Sequence, residues 1–199
     1  MFKRKCKITF ITHGATVHSL EGMINDSESY PKLNDVGEEE ISKVCEYLKK
    51  RAVSYDKVYT SPSARCIESA QIIAKLFKKK STEIDLKARK YGVWSGQTFT
   101  DIYEQYGAKA IIETPEGGED LKAFNTRVNE TIKKLIDENR GNRIIVVTTP
   151  DVVQAAVAKT LGLKNENQYK VLIKTGSITQ ISYFEGNWSS LIYSDYVPL

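Results

Sequence analysis

The run Ile8-Thr9-Phe10-Ile11-Thr12-His13-Gly14 decides the fold. It is short and apolar, interrupted only by small hydroxyl residues, and it closes on a histidine and a glycine. Such a run reads as a buried central strand that delivers an imidazole onto a turn. In open α/β sheets ligands gather at the carboxyl ends of strands, where loops and helix N-termini converge, so His13 is the first candidate for chemistry. A second run, Ile144-Ile145-Val146-Val147, ends in the same manner at Thr148-Thr149 and is followed by helical periodicity. Two buried strands thus hand polar residues to similar loops.

Outward from these strands the apolar period alternates between two and 3.6 residues, which argues for an α/β domain with a largely parallel sheet. Strands are expected over residues 5–12, 55–59, 83–86 and 143–149. A polar loop over residues 25–35 leads to a helix capped by Asn34 or Asp35 and running to Arg51, with Ile41, Val44, Cys45 and Leu48 inward. Ser61-Pro62 predicts the start of the next helix, with Ser61 as its N-cap. Residues 99–112 read as a helix interrupted near Gly107, residues 121–139 as a long amphipathic helix and residues 152–161 as another. A hairpin of residues 177–184 and 189–193 turns through Glu185-Gly186-Asn187.

The 199 residues fit one domain, 1–199, able to bury roughly 70% of its unfolded surface. The 41% hydrophobic and 27% charged content lies near the soluble average and excludes a disordered chain. Apolar runs are too short for a membrane span, and the basic start at Lys3, Arg4, Lys5 and Lys7 leads into a strand and not a leader. Cys6, Cys45 and Cys66 are odd in number, far apart and without CxxC spacing, which suits reduced thiols in a cytoplasmic protein. A net charge of +4 is too mild, and too poor in interleaved aromatics, for nucleic acid, though it suits a small anion. The two histidines share one loop and give no metal set, and no GxGxxG occurs, so no cofactor is expected.

The order of segments resembles the histidine phosphatase superfamily, also called phosphoglycerate mutase-like, over nearly the whole chain. Thr12-His13-Gly14-Ala15-Thr16 is similar to that family's Arg-His-Gly-Glu-Thr. Residues 59–70, from Tyr59-Thr60-Ser61-Pro62 through Arg65-Cys66 to Ala70, match a segment reading Ser-Ser-Pro-x-x-Arg-(Ala or Cys)-x-Gln-Thr-Ala. Residues 86–96, ending Tyr91-Gly92-Val93-Trp94-Ser95-Gly96, resemble Leu-x-Glu-x-x-(Phe or Tyr)-Gly-x-(Trp or Leu)-x-Gly. Pro115-Glu116-Gly117-Gly118-Glu119-Asp120 resembles Pro-x-Gly-Gly-Glu-Ser, and Val146-Val147-Thr148-Thr149-Pro150-Asp151 falls where Val-Val-Ser-His-Gly-Gly is expected. The resemblance implies a three-layer αβα sandwich and a reaction through phosphohistidine. There the first histidine attacks phosphorus, two arginines and a second histidine hold the phosphoryl oxygens, and a carboxylic acid protonates the leaving alcohol.

By that resemblance His13 keeps the place of the nucleophile and Arg65 one phosphate clamp, while Thr12, Ala88 and Thr149 replace the first arginine, the acid and the second histidine. One lost charge-assisted contact costs about 1.5–3 kcal/mol. A lost general acid costs about 10²–10⁴ in rate. The leading expectation is therefore an impaired or inactive pseudophosphatase that binds a phosphorylated or other anionic ligand through Arg65, Thr12, Gly14 and Thr149. An active phosphomonoesterase with a relocated acid, Glu116, Glu119 or Asp151, is the second reading. A ligand-free structural domain is the third. Mutase activity is the least expected. Lys87, Arg89 and Lys90 either keep the mouth of the site positive or are solvated, Tyr91 either contacts substrate or packs, Trp94 and Gly96 shape a loop, and His18 is an exposed loop residue. Small domains of this kind often pair, so a homodimer is a further expectation.

Overall fold

In this computed structural model residues 3–25, 31–107 and 109–198 are described, Ile111 by its backbone only. Residues 26–30 of the expected polar loop lie outside them. Six strands form one sheet in the order β3-β2-β4-β1-β5-β6: β1 (Arg4–Thr12), β2 (Lys57–Thr60), β3 (Ser81–Glu83), β4 (Arg143–Thr148), β5 (Ile178–Phe184) and β6 (Ser189–Tyr196). The pairs β1/β4, β4/β2 and β2/β3 are parallel, whereas β5 and β6 close one edge antiparallel. This is the mostly parallel α/β sheet that the alternating periodicity anticipates.

Side chains two apart along β1 and β4 face the same side, and the two faces bury against different helices. Ile8, Phe10, Ile144 and Val146 pack with α5 (Leu121–Glu138) and α6 (Pro150–Leu161). Ile11, Ile145 and Val147 pack on the other side with α2 (Asp35–Lys50) and α3 (Ala64–Leu76). The result is three layers. Two short helices lie beyond the strand ends, α1 (Val17–Leu20) and α4 (Phe99–Tyr106), and the sequence pattern missed α1 because a single turn has no periodicity to detect.

Several boundaries differ from expectation for identifiable reasons. Helix α3 begins at Ala64 with Ser63 before it, and Ser61 does not cap it. The Ser61 hydroxyl instead donates to the Leu86 carbonyl at 2.6 Å and meets the Thr148 hydroxyl at 2.7 Å, so cross-strand bonding takes the group that the local pattern reserves for a cap. Strand β3 ends at Glu83, short of the expected Leu86. Helix α4 ends at Gly107, whose φ of +78° only glycine adopts without strain, while Pro150 opens α6 two residues earlier than expected. Among the described residues no helix is long and apolar enough to cross a membrane.

Candidate active site

The parallel strands β1 and β4 end side by side, with Thr12 in register with Thr148, so His13 and Thr149 emerge together at the carboxyl edge. The His13 backbone is gripped on both sides: its N–H donates to the Thr148 carbonyl and its carbonyl accepts from Gly176 N–H, each at 3.0 Å. The imidazole is buried, and Nδ1 lies 2.8 Å from the Gly14 carbonyl. A carbonyl only accepts, so Nδ1 carries the proton and the Nε2 lone pair faces the cavity. Arg65 Nε–H donates to that Nε2 at 3.2 Å. Burial first, and the adjacent Arg65 charge second, push the His13 pKa down to about 3, so the ring is neutral at ordinary pH. A neutral imidazole with an outward lone pair is the nucleophilic form.

His13 and Arg65 line a cavity of about 450 Å³ with Thr149, Asp151, Gln154, Tyr169 and Lys174 among its walls. Among the described lining residues, Asp151 is the sole carboxylate, and Arg65 and Lys174 are the sole cations. Asp151 Oδ1 accepts from the Thr149 hydroxyl at 2.5 Å and from Val152 N–H at 2.9 Å, while Oδ2 accepts from Arg89 N–H at 2.7 Å. Those three bonds favour the carboxylate, but burial outweighs them and raises its pKa above the usual range. Arg89 adjoins Ala88, so the Asp151 carboxyl reaches from α6 to the segment from which, by the resemblance, an acid would have projected.

The other expected acids lie elsewhere. Glu119 is locked in a two-point pair with Arg127, whose Nε and Nη2 donate at 2.6 and 2.7 Å, and Glu116 is exposed; neither lines the cavity. Three expected anion donors are also committed to the protein. The Thr12 hydroxyl donates to the Lys174 carbonyl at 2.6 Å and accepts from Ser177 N–H at 2.8 Å, and Thr12 is not among the residues lining the cavity. Gly14 N–H donates to the Ser69 hydroxyl at 3.1 Å, and the close approach that Gly14 permits is to Gly37 of α2, whose carbonyl a Cβ would strike. The single Thr149 hydroxyl proton is given to Asp151. In this structure the hydrogens of Thr12, Gly14 and Thr149 that were expected to meet a phosphate are used in holding the loops.

Arg89 does not make the mouth positive. It is fully buried, donating to the carbonyls of Glu119 and Glu113 and to the Tyr169 hydroxyl, with its guanidinium 5.2 Å from the Tyr91 ring centre. Lys87 is exposed beside Asp85. His18 is half-buried on α1, with Nδ1 2.6 Å from Asn25 Oδ1. Tyr91 both packs and lines the cavity, and Trp94 is buried beneath it. The sequence reading missed Lys174 and Thr175, brought in by the loop before β5, and Glu40, whose carboxylate accepts from Ala15 N–H and the Thr175 hydroxyl. The polar turn Lys174-Thr175-Gly176-Ser177 before an apolar strand was the available signal. No His/Cys/Asp/Glu cluster able to hold a metal occurs among the described residues.

A family model described as the histidine phosphatase superfamily (branch 1) matches residues 8–195. The chain belongs to that superfamily. It is 26% identical to phosphoglycerate mutase-like protein 4 of Arabidopsis thaliana, covering 95% of this chain and 85% of that one. It is 24% identical to a broad-specificity phosphatase of Saccharomyces cerevisiae, covering 89% and 79%. In fold it matches an Entamoeba histolytica phosphoserine phosphatase solved with 3-phosphoglyceric acid, at a TM-score of 0.83, 21% identity and coverage of 96% and 98%.

Proposed function

We propose that this chain is a slow phosphomonoesterase that carries the phosphoryl group on His13 and takes its acid from Asp151. The observation that carries this reading is the Asp151 carboxyl, raised in pKa by burial and lining the same cavity as His13 and Arg65. The His13 Nε2 lone pair attacks phosphorus, the bond from phosphorus to the ester oxygen breaks, and protonated Asp151 gives its proton to the departing alcohol. Water then attacks phosphohistidine, loses its proton to the Asp151 carboxylate and releases phosphate. Arg65 turns its donors from Nε2 to the equatorial oxygens as the ester enters, and Lys174 supplies the second positive charge at longer reach. One guanidinium and an exposed lysine replace a fuller cationic set, which is why turnover is slow.

Alkali-quenched samples incubated with aryl phosphate radiolabelled at phosphorus test the covalent step: wild type retains an alkali-stable, acid-labile label on histidine, and His13→Asn does not. Asp151→Asn lowers hydrolysis of an alkyl phosphate about 10²–10⁴-fold and that of a nitrophenyl phosphate much less, because the second leaving group needs little protonation. Hydrolysis of the alkyl ester by wild type falls as pH rises through the Asp151 pKa. Absence of label, with equal background in all three proteins, refutes catalysis and leaves anion binding alone. With the donors of Thr12, Gly14 and Thr149 committed to the protein, anion binding in that second reading rests on Arg65 and Lys174.

A further inference from the structure

A second cavity of about 390 Å³ adjoins the first and shares Ile24, Tyr91 and Phe99 with it. Its remaining wall comes from α4 and the segments on either side of it, including Trp94, Ile102, Tyr103 and Ala110. Ile24, Tyr91, Trp94 and Ile102 are buried and form a small apolar cluster separate from the two main cores, so the floor is built independently of any ligand. The outer wall is open: Phe99 is 50% and Tyr103 62% exposed. No charged residue lines this cavity among the described residues. The Tyr91 hydroxyl lies 3.3 Å from the Tyr169 hydroxyl, which occupies its polar end and leaves the ring as the surface between the two cavities.

We infer that this cavity receives the alcohol part of the ester, so that the substrates are phosphomonoesters of aromatic or bulky apolar alcohols. The inference rests on the phosphoryl site proposed above. A phosphate held at His13 and Arg65 directs its ester oxygen to the cavity mouth, and only Ile24, Tyr91 and Phe99 separate that mouth from the apolar cavity. The volume lies within the roughly 300–1,000 Å³ of small-molecule sites. A leaving group bearing a carboxylate or an ammonium would lose its hydration there without gaining an opposite charge, and this selects against phosphorylated hydroxy acids and amino acids. Aromatic surfaces on either side instead suit a ring.

The test is calorimetric binding of 1-naphthyl phosphate, glycerol 3-phosphate and 1-naphthol to the full chain. The expected result is about tenfold or greater preference for naphthyl phosphate over glycerol phosphate. Thr100→Trp, which fills the cavity from its exposed rim, and Tyr103→Ala, which removes its outer wall, each reduce that ratio severalfold. Equal binding of the two esters overturns the inference while leaving the phosphoryl site standing. Binding of naphthol with neither ester removes the phosphoryl site and the inference together. Naphthyl phosphate that binds preferentially but is never hydrolysed upholds the inference and refutes only the catalytic step.

Discussion

Protonation of His13 in the unfolded but not the folded chain makes a measurable acid liability. Its folded pKa of about 3 lies below the value near 6.5 of a free imidazole, so the unfolded chain binds an extra proton between those values. Stability from this group is complete above about pH 6.5 and is lost as pH falls toward about 3. Integrating the proton difference gives a loss of about 2 kcal/mol between pH 7 and pH 5, approaching 1.36 kcal/mol per further pH unit. For a chain of this size that is about 4–8 °C in Tm. His13→Asn is the suitable comparison, because an amide N–H can still donate to the Gly14 carbonyl and does not titrate. Denaturant unfolding of both proteins at pH 7, 6 and 5 gives two stability curves whose difference isolates His13, since acid effects from Asp151 and the surface occur in both. The wild-type curve should fall more steeply by about 2 kcal/mol over that range. Parallel curves would refute the buried neutral tautomer, and with it the outward Nε2 lone pair.

Three other perturbations probe the scaffold. Gly14→Ala drives a Cβ into the Gly37 carbonyl, backbone against backbone, and should cost about 3 kcal/mol or more in urea unfolding; a loss under about 1 kcal/mol would show that the loop and α2 can separate. Arg127→Ala removes the pair with Glu119, the bonds to the carbonyls of Lys87 and Ala88, and a face contact with Phe124 at 5.0 Å. It should lower stability by about 2 kcal/mol, seen as a drop of about 4–8 °C in a thermal scan, and an unchanged Tm would contradict the bonding described. Burial pushes each of the thiols Cys6, Cys45 and Cys66 up to about 11, so modification by a disulfide reagent at pH 8 should be slow until denaturant is added, and rapid labelling of the native chain would contradict this.

Much of the scaffold was legible because it depends on local period and on adjacent strands. Ile8 to Ile11 and Ile144 to Val147 sort between the two faces by parity, and Ile41, Val44 and Leu48 mark the inner stripe of α2 one helical turn apart. His13 was legible for a similar reason, since it follows a buried strand, whereas Arg65 was legible only through the resemblance of residues 59–70 to the family's segment. What escaped the sequence were hydrogen-bond choices between distant segments. Thr12 looks equally able to bind an anion or a backbone carbonyl, and only the loop before β5, 162 residues away along the chain, decides between them. Glu119 and Asp151 look alike as loop carboxylates, yet Arg127 captures one and burial against the Arg89 amide fixes the other. The helix start at Ala64 and not Pro62 has the same cause, since Leu86 and Thr148 claim Ser61 from across the sheet.

These long-range bonds change what the replaced positions mean. A threonine at position 12 does not leave a gap where a guanidinium would project; its hydroxyl fastens the loop of residues 174–177 to the end of β1, and Gly176 of that loop holds the His13 carbonyl. The same loop carries Lys174 and Thr175 to the cavity wall. Thr149, in turn, donates its proton to Asp151 and so orients the carboxyl. The hydroxyls of Thr12 and Thr149 thus hold in place the loop that carries Lys174 and the carboxyl of Asp151. Phosphoryl transfer constrains where charge and a proton stand relative to phosphorus, not which strand supplies them. On the proposed function, a cation from the loop before β5 and an acid from α6 are the groups that answer that constraint, and Lys174 is the more exposed of the two cations lining the cavity.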